Sequence, residues 1–554
     1  MIILVLSIFL FLISVVGYGK IFIKINNLND INLSFGETGL LGLFFITFLG
    51  ISLHFFFPLN QILNTFIFLI GFSFFLYEIS TSKIKINFKY YKLFFFIFFA
   101  SLTMILGHKP NEDFGYYHLP YIVNMNSEKI IFGLSNLQLN QGWNSSWLLI
   151  KSLFNIKIVG VKGIFVSNII FYLLISFVFL SYFYFNKIRS GSIFFFSLFF
   201  YIFLNLKFAR LNSYGIDIPS NFLVIYAFIL FLLCYHNRNS DKKFFRYLEI
   251  LILISIFSIS FRILNLLILI LPIILIFRFK VSILKLFKSR VLIFSVLFFI
   301  IWQIQQIIYT GCFLIPNELT CFKNFSWFDK DIIANFVNDT SNVNKSFQTY
   351  SGVLSREEYL SNFNWIGNWY ERNHIELYEH ILTFLIPVFS FIIINKNNFK
   401  FNLYFFKKEN NFYILIVVFL SLVIWFLKAP VIRFATLYLQ TFFLIIILYF
   451  IKHKSKKLIS KKLILLFVLL SLFGNISKNI LRIYNNETKN IFPIIPEIDY
   501  KTTNLEDLKL NIPKKNNFID KSELCWDVPF LCRIGSFDDI NIKMNNNYLF
   551  ILKN

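Results

Sequence analysis

The sequence predicts an all-α polytopic membrane protein, a bundle of about fourteen transmembrane helices with small outer loops. Hydrophobic residues make up 57% of the 554 residues, and charged residues only 15%. The core of a soluble protein needs far less apolar surface. In addition, apolar segments long enough to cross a bilayer recur along the chain, and the loops between them alternate in basic charge.

Each predicted helix is an apolar segment of roughly 17–25 residues, some of them shorter and tilted. The segments are residues 2–17, 38–58, 60–79, 91–107, 163–183, 191–206, 216–235, 247–260, 262–278, 290–309, 379–395, 411–427, 431–451 and 462–475. The first segment lacks a basic leader and a small-residue cleavage site. We therefore predict a membrane helix there and not a signal peptide.

The net charge of +24 is distributed over short loops and does not predict nucleic acid as a partner. The loops that follow odd-numbered helices carry basic clusters such as "KIKINFKYYK" (83–92) and "KHKSKKLISKK" (452–462). Cytoplasmic loops of membrane proteins are enriched in Lys and Arg. The odd loops are therefore predicted to be cytoplasmic, and the even loops and both termini are predicted to lie outside.

The five cysteines agree with this orientation. Cys312 and Cys321 share the outer loop 310–378, and Cys525 and Cys532 share the outer C-terminal segment. Disulfides form outside the cytoplasm. We predict the disulfides Cys312–Cys321 and Cys525–Cys532, and we place Cys234 near the cytoplasmic end of a helix.

Ionisable residues collect at the predicted outer boundary of the membrane, where they are costly unless they face a cavity or a partner. They are Glu112, Asp113, Arg210, Asp217, Arg262 and Arg433. An arginine fork binds phosphate in a bidentate manner, and a carboxylate can take a proton from an attacking hydroxyl. The set therefore favours a transfer reaction on an anionic lipid carrier.

Each of these residues also has a plain structural explanation. Arg210 and Arg262 could extend to lipid headgroups, and Arg433 could cap a helix beside Pro430. Asp217 could cap the helix that begins before Pro219. Glu112 and Asp113 could belong to a solvated turn, and His118 between aromatic residues is typical of a structural hydrogen-bonding group.

The stretch 130–154, "IIFGLSNLQLNQGWNSSWLLIKSLF", mixes apolar residues at helical spacing with amides. Two interpretations are open. It is either an interfacial helix along the outer leaflet, which could guide a lipid-linked donor, or a loop packed on the bundle.

Several motifs together resemble those of a poorly characterised group of bacterial polytopic proteins. An acidic residue is followed by a Tyr-His pair, then by "GLSNL" and "NSSW"; here these are Asp113, Tyr117–His118, residues 133–137 and Asn144 to Trp147. The later segments "GIDIP" with Asp217, "APVIRF" with Arg433, and "CWDVPFLC" extend the match. That group looks like part of the GT-C glycosyltransferase superfamily, which contains the protein O-mannosyltransferases.

The resemblance implies an inverting glycosyltransferase of the bacterial inner membrane, with its active site on the periplasmic side. It implies a polyprenyl-phosphate-linked sugar as donor and a glycan, lipid or protein as acceptor. Asp113 matches the catalytic acidic position, with Glu112 as neighbour or substitute. Arg433, Arg262 and Arg210 are the expected ligands of the donor's lipid phosphate.

The remaining candidates are expected to support this site. His118, Asp217, Asn144 and Trp147 are predicted to have supporting roles. No metal ligand is assigned; some members of the superfamily are metal-dependent, and Glu112, Asp113 and Asp217 could bind a divalent cation only if the fold brings them together.

The predicted organisation departs from simpler members of the superfamily. Residues 1–90 add transmembrane helices before the acidic loop, and residues 91–475 form the GT-C-like module with outer loops 108–162 and 310–378. Residues 476–554 form a periplasmic tail in place of a large soluble domain.

Two other function classes remain open. A polysaccharide polymerase of the Wzy type or an O-antigen ligase would use a pyrophosphate-linked oligosaccharide and depend on arginines more than on an acidic residue. A flippase or transporter of lipid-linked sugars would predict ionisable residues in mid-membrane. No Walker, GxGxxG or HExxH motif occurs, so ATP-driven transport and zincin chemistry have no support.

Overall fold

The helices of this chain are seen in a computed structural model. It describes residues 2–81, 91–106, 113–185, 191–207, 215–315, 317–401, 409–453, 459–485, 495–505, 508–514 and 523–553. Glu112 and Arg210 lie outside the described residues.

The protein is an all-α polytopic membrane protein. Eleven helices of the described residues are long and apolar enough to cross a membrane. They are α1 (Ile2–Ile25), α2 (Phe35–His54), α3 (Gln61–Thr81), α8 (Gly163–Leu180, continued by a π-helical turn to Phe185), α10 (Asp217–His236), α11 (Asp241–Phe261), α14 (Arg290–Thr310), α17 (Ile366–Ile394), α18 (Glu409–Lys428), α19 (Ile432–Phe450) and α20 (Lys461–Tyr484).

Shorter helices complete the bundle and its loops. Three are apolar: α4 (Tyr91–Leu106), α9 (Ser192–Lys207) and α12 (Ile270–Arg278, preceded by a 3-10 turn from Ile263). The others are α5 (Leu119–Ser127), α6 (Leu134–Leu137), α7 (Ser146–Leu153), α13 (Ile283–Phe287), α15 (Lys330–Asn344) and α16 (Arg356–Leu360). Every predicted membrane segment overlaps one of the long or short apolar helices.

Close contacts between small residues hold the N-terminal helices together. A Cβ on Gly17 would lie 2.0 Å from the carbonyl oxygen of Gly71, and one on Gly42 would lie 1.9 Å from that of Val15. Glycine at these points lets α1 approach α2 and α3 backbone to backbone, which is how helices pack in membranes. At the centre of the bundle α10 is buried along its whole length.

One end of the bundle, here called the loop face, carries residues 113–162, the Cys312–Cys321 loop and the C-terminal tail. Both predicted disulfides, Cys312–Cys321 and Cys525–Cys532, are present there, and Cys234 is a free, buried thiol. At the opposite end the buried Glu37 accepts hydrogen bonds from Tyr182 and Tyr226, and Glu249 accepts them from Arg246 and Ser289.

The tail is folded into antiparallel hairpins. Strands β3 (Tyr500–Leu505) and β4 (Leu508–Pro513) form one, and β5 (Ile540–Asn545) and β6 (Tyr548–Lys553) form the other, with Ile540 opposite Lys553. A further hairpin pairs β1 (Phe399–Phe401) with β2 (Ile451–His453). Strand β6 docks on the loop-face segment 113–162, because Phe132 exchanges backbone hydrogen bonds with Leu549 and Ile551 at 2.9 Å.

The interfacial helix considered for residues 130–154 is not found. The segment forms an isolated bridge at Phe132, the short helices α6 and α7, and a 3-10 turn at Leu139–Gly142. Every residue of α6 and α7 is buried. An interfacial helix needs one face in lipid, whereas the amides of this segment hydrogen-bond to the surrounding helices; Asn144, for example, donates to the Trp302 carbonyl at 2.9 Å. The second interpretation, a loop packed on the bundle, is the better description.

Candidate functional site

Four of the predicted charged residues converge at the loop face. Asp217 Oδ1 lies 3.2 Å from Arg262 Nη1, and Asp217 Oδ2 lies 3.2 Å from Arg433 Nε. Arg433 Nη2 in turn reaches Asp113 Oδ2 at 3.5 Å. Residues that are up to 320 positions apart in sequence therefore form one continuous chain of charges.

The buried half of this chain is the pair Asp217–Arg262. Their side chains are only 12% and 7% exposed. Asp217 is the first residue of α10, and its carboxylate faces the two guanidinium groups, so it does not act as the helix cap considered from the sequence. Arg262 follows α11 in an extended conformation and stacks its guanidinium 3.4 Å from the ring centroid of Phe434. An arginine that extends to lipid headgroups would be exposed, so that explanation does not hold for Arg262.

The more open half is the pair Asp113–Arg433. Their side chains are 36% and 38% exposed, and Asp113 Oδ2 lies 3.5 Å from Arg433 Nη2. Asp113 and Arg433 can therefore be separated by an incoming ligand at small cost, because exposed ion pairs contribute only about 0–1 kcal/mol.

Two tryptophans fix the turn that leads into Arg433. The Trp369 indole N–H donates to the carbonyl of Pro430 at 2.6 Å, and that of Trp425 donates to the carbonyl of Val431 at 2.7 Å. Both rings belong to a buried aromatic cluster with Trp365. Arg433 is the second residue of α19 and comes directly after the turn at Pro430 and Val431. The aromatic cluster therefore sets the direction in which the Arg433 side chain leaves the helix.

The C-terminal tail fixes the turn that follows Asp113. Residues Phe114–His118 form a π-helical turn, and the Gly115 carbonyl accepts a hydrogen bond from the Trp526 backbone N–H at 2.9 Å. A Cβ on Gly115 would lie 2.3 Å from the Trp526 ring, so only glycine fits here. Trp526 is 2% exposed and lies in the Cys525–Cys532 disulfide loop.

His118 and Tyr117 support the same turn. His118 is buried against Gly215, two residues before Asp217. Burial, followed by the charges of Lys151 and Arg433, lowers the pKa of His118, so its imidazole is neutral. Tyr117 was not predicted as a site residue. Burial and the neighbouring Asp113 carboxylate raise its pKa, so its phenol keeps the proton at neutral pH.

A cavity of about 280 Å³ opens beside Arg433. Its lining consists of Lys207, Asp217, Ile218, Glu376, His380, Val431 and Arg433. Lys207 is held by Glu379 at 2.8 Å. His380 lies 3.1 Å from the Thr436 hydroxyl through Nδ1 and 3.6 Å from Glu376 through Nε2.

Sequence reasoning missed Lys207, Glu376 and His380. The sequence places them in or beside apolar helices, and no spacing links α9 to α17. The helix predicted from residue 379 begins at Ile366 in the structure, because charged residues in its first half reduce the apolar signal. The i, i+4 spacing of Glu376 and His380 on one helix was the signal that could have shown them.

Asn144 and Trp147 have structural contacts. Asn144 hydrogen-bonds with the carbonyl and the indole of Trp302 and with Tyr121. Trp147 is fully buried against Phe171 and Phe261. These residues anchor the first outer loop to the bundle, and their contacts do not include the four converging charges.

The described residues contain no group of three or more His, Cys, Asp or Glu side chains suited to a metal ion. Of the three carboxylates considered, Asp113 and Asp217 both contact Arg433, and Glu112 is outside the described residues. A guanidinium between two carboxylates occupies the position that a cation would need.

Comparison with known proteins gives a family for most of the chain. A family model described as Domain of unknown function (DUF8201) matches residues 1–440. No curated protein and no solved structure matches the chain. The match ends within α19, so the tail that contacts Gly115 lies beyond it.

Proposed function

This chain belongs to the family described as Domain of unknown function (DUF8201), and we propose that it is a membrane glycosyltransferase of the GT-C type. It transfers a sugar from a polyprenyl-phosphate donor to an acceptor hydroxyl of a cell-envelope glycan, lipid or protein. The observation that carries the proposal is the convergence of Asp113, Asp217, Arg262 and Arg433 beside a cavity among the membrane helices.

The charges of the site support an anionic lipid as ligand. Arg433 lines the cavity and is the more exposed of the two arginines, at 38% against 7% for Arg262. Its planar fork suits a phosphate. Asp217, which is itself paired with the buried Arg262, lies on the Nε side of Arg433, which leaves the Nη side to face the ligand.

The size of the cavity favours one sugar unit. Pockets for small ligands measure roughly 300–1,000 Å³, and this one has about 280 Å³. That space suits the polar head of a monosaccharide donor.

A transporter is less well supported. The buried carboxylates at the other end of the bundle, Glu37 and Glu249, are hydrogen-bonded to tyrosine, serine or arginine side chains. Such pairs serve packing, whereas a transport path needs ionisable groups that face a cavity.

The proposed reaction uses Asp113 as general base. The donor phosphate binds Arg433 and displaces Asp113 from its 3.5 Å contact. The Asp113 carboxylate then takes the proton of the acceptor hydroxyl as that oxygen forms a bond to the anomeric carbon. The bond from the anomeric carbon to the phosphate oxygen breaks with inversion, and polyprenyl phosphate leaves with its charge held by Arg433.

The proposed location is the bacterial inner membrane, with the site on the periplasmic side. Basic loops on the opposite side support this orientation, and so do two disulfides at the loop face. The donor's lipid tail then lies in the outer leaflet, and the acceptor approaches Asp113 from the periplasm.

The experiment is a transfer assay with the purified full-length protein in lipid nanodiscs. Undecaprenyl phosphate carrying each of several common hexoses is offered together with envelope glycans and lipids as acceptors. Removal of a general base typically costs roughly 10²–10⁴-fold in rate, so D113N should lose transfer by that factor while its affinity for undecaprenyl phosphate is unchanged or higher.

R433A gives the complementary result. It should weaken binding of undecaprenyl phosphate about tenfold or more, because a charge-assisted contact is lost. Arg482, a partly buried arginine in the last turn of α20, provides the matched control R482A. Transfer by D113N at the wild-type rate, or equal donor affinity in R433A and R482A, would overturn the proposal.

A further inference from the structure

The cavity lining also contains a second pair of side chains, Glu376 and His380. The two residues are one turn apart on α17, and both line the cavity. The His380 side chain is 5% exposed, whereas that of Glu376 is 50% exposed. The proposed chemistry gives neither of them a role.

The Thr436 hydroxyl anchors one nitrogen of His380. It donates to the Ile432 carbonyl at 2.9 Å and lies 3.1 Å from His380 Nδ1. The bond to Thr436 engages Nδ1 in either tautomer of the imidazole, which leaves Nε2 as the nitrogen next to Glu376.

Two hydrogen-bonding groups consequently stand side by side at the cavity wall. His380 Nε2 is 3.6 Å from the Glu376 carboxylate oxygen, which is beyond hydrogen-bonding distance. The two groups therefore do not satisfy each other. Both can bond to the hydroxyl groups of a ligand, since a hydroxyl donates and accepts.

We propose that Glu376 and His380 bind two neighbouring hydroxyl groups of the sugar carried by the lipid phosphate. The inference rests on the proposed function, and it adds the groups that select the sugar. With the phosphate on Arg433, the sugar enters the cavity, where adjacent ring hydroxyls hydrogen-bond to the carboxylate and to Nε2. Lys207, on the neighbouring wall and held by Glu379, is a donor that suits the hydroxyl lone pairs.

The test compares E376Q and H380A with two control variants of the same helix, E371Q and H374A. Glu371 and His374 do not belong to the cavity lining. Each protein is assayed with the hexose that the wild type transfers fastest, with the single-deoxy analogues of that hexose, and with undecaprenyl phosphate that carries no sugar.

The expected result is a KM for the sugar donor about tenfold higher in E376Q and several-fold higher in H380A, because E376Q removes the charge of one acceptor and H380A removes the hydrogen bond of the imidazole. The kcat stays within about threefold, and the controls match the wild type. Two adjacent deoxy analogues should be poor substrates of the wild type, and each variant should lose discrimination against one of them.

The outcomes separate this inference from the proposed function. If the wild type transfers no sugar from any lipid donor, the proposed function itself fails. If the wild type transfers sugar but E376Q and H380A match E371Q and H374A, the subsite is refuted and the proposed function stands. Equal loss of binding for undecaprenyl phosphate without sugar also refutes the subsite, since the residues would then act on the phosphate or on the fold.

Discussion

The two carboxylates of the site should respond in opposite ways to neutralisation. In D217N the buried Arg262, with 7% of its side chain exposed, loses its 3.2 Å partner, and Arg433 loses its contact with Asp217 at 3.2 Å. Removal of one member of a buried ion pair typically costs about 3–5 kcal/mol. In D113N the contact to Arg433 is lost, which is 3.5 Å long and joins side chains exposed by more than a third, and the loss of such an exposed pair costs about 0–1 kcal/mol.

The assay is thermal unfolding of both variants in the same detergent, together with transfer activity. D217N is expected to unfold at a clearly lower temperature than the wild type, whereas D113N should unfold close to the wild type and yet be inactive. The double variant D217N/R262M should regain part of the lost stability, because it also removes the unpaired buried charge. Equal melting temperatures for D217N and D113N would refute this division of roles.

Three further predictions concern the surroundings of the site. W526A and G115A should each lower kcat about tenfold or more, since both shift the turn after Asp113. G115A should have little added effect in the W526A background, and additive losses in the double variant would contradict the shared contact. The control is F550A, which removes a tail contact to Phe132 instead. W369F and W425F each remove one indole hydrogen bond to the turn before Arg433. Each variant should lose about 1 kcal/mol of stability and bind undecaprenyl phosphate more weakly. Unchanged affinity in both variants would contradict the role of the two tryptophans in positioning Arg433. Burial lowers the pKa of Lys151 to about 7, so the folded state favours the neutral amine. K151M should therefore have a higher melting temperature than the wild type at pH 7, and this difference should shrink as the pH rises toward the unfolded pKa of about 10.4. A difference in melting temperature that stays constant with pH would contradict the effect of burial on this amine.

The membrane helices could be predicted because their signal is local. An apolar segment of bilayer length is visible in any window of the sequence, and all the predicted segments overlap observed helices. The boundaries were less predictable where a helix extends beyond its apolar part. The clearest case is α17, which starts at Ile366 and carries Glu376 and His380 before its most apolar part begins.

The site was predicted in part. Asp113, Asp217, Arg262 and Arg433 were selected because charges are costly at a membrane boundary, and the structure brings these four together. The partners that orient them were not predictable. Trp526 reaches Gly115 from a tail that has no sequence relation to the first loop, and only the folded chain brings the two into contact.

Residues 130–154 show why the sequence left two interpretations open. Alternating apolar residues and amides are typical of an interfacial helix when the polar groups face water. Here most of the amides are buried and several donate to distant backbone groups; Asn136, for example, donates to the Ile551 carbonyl at 2.7 Å. Such partners depend on the tertiary structure, so the sequence could not distinguish the two arrangements.

A structure of the protein with undecaprenyl phosphate in a nanodisc is the most direct test of the central claim. The account predicts the phosphate within hydrogen-bonding distance of the Arg433 guanidinium, with Asp113 released from its 3.5 Å contact and Asp217 still paired with Arg262. A phosphate bound elsewhere on the protein, with Arg433 still held between Asp113 and Asp217, would contradict it.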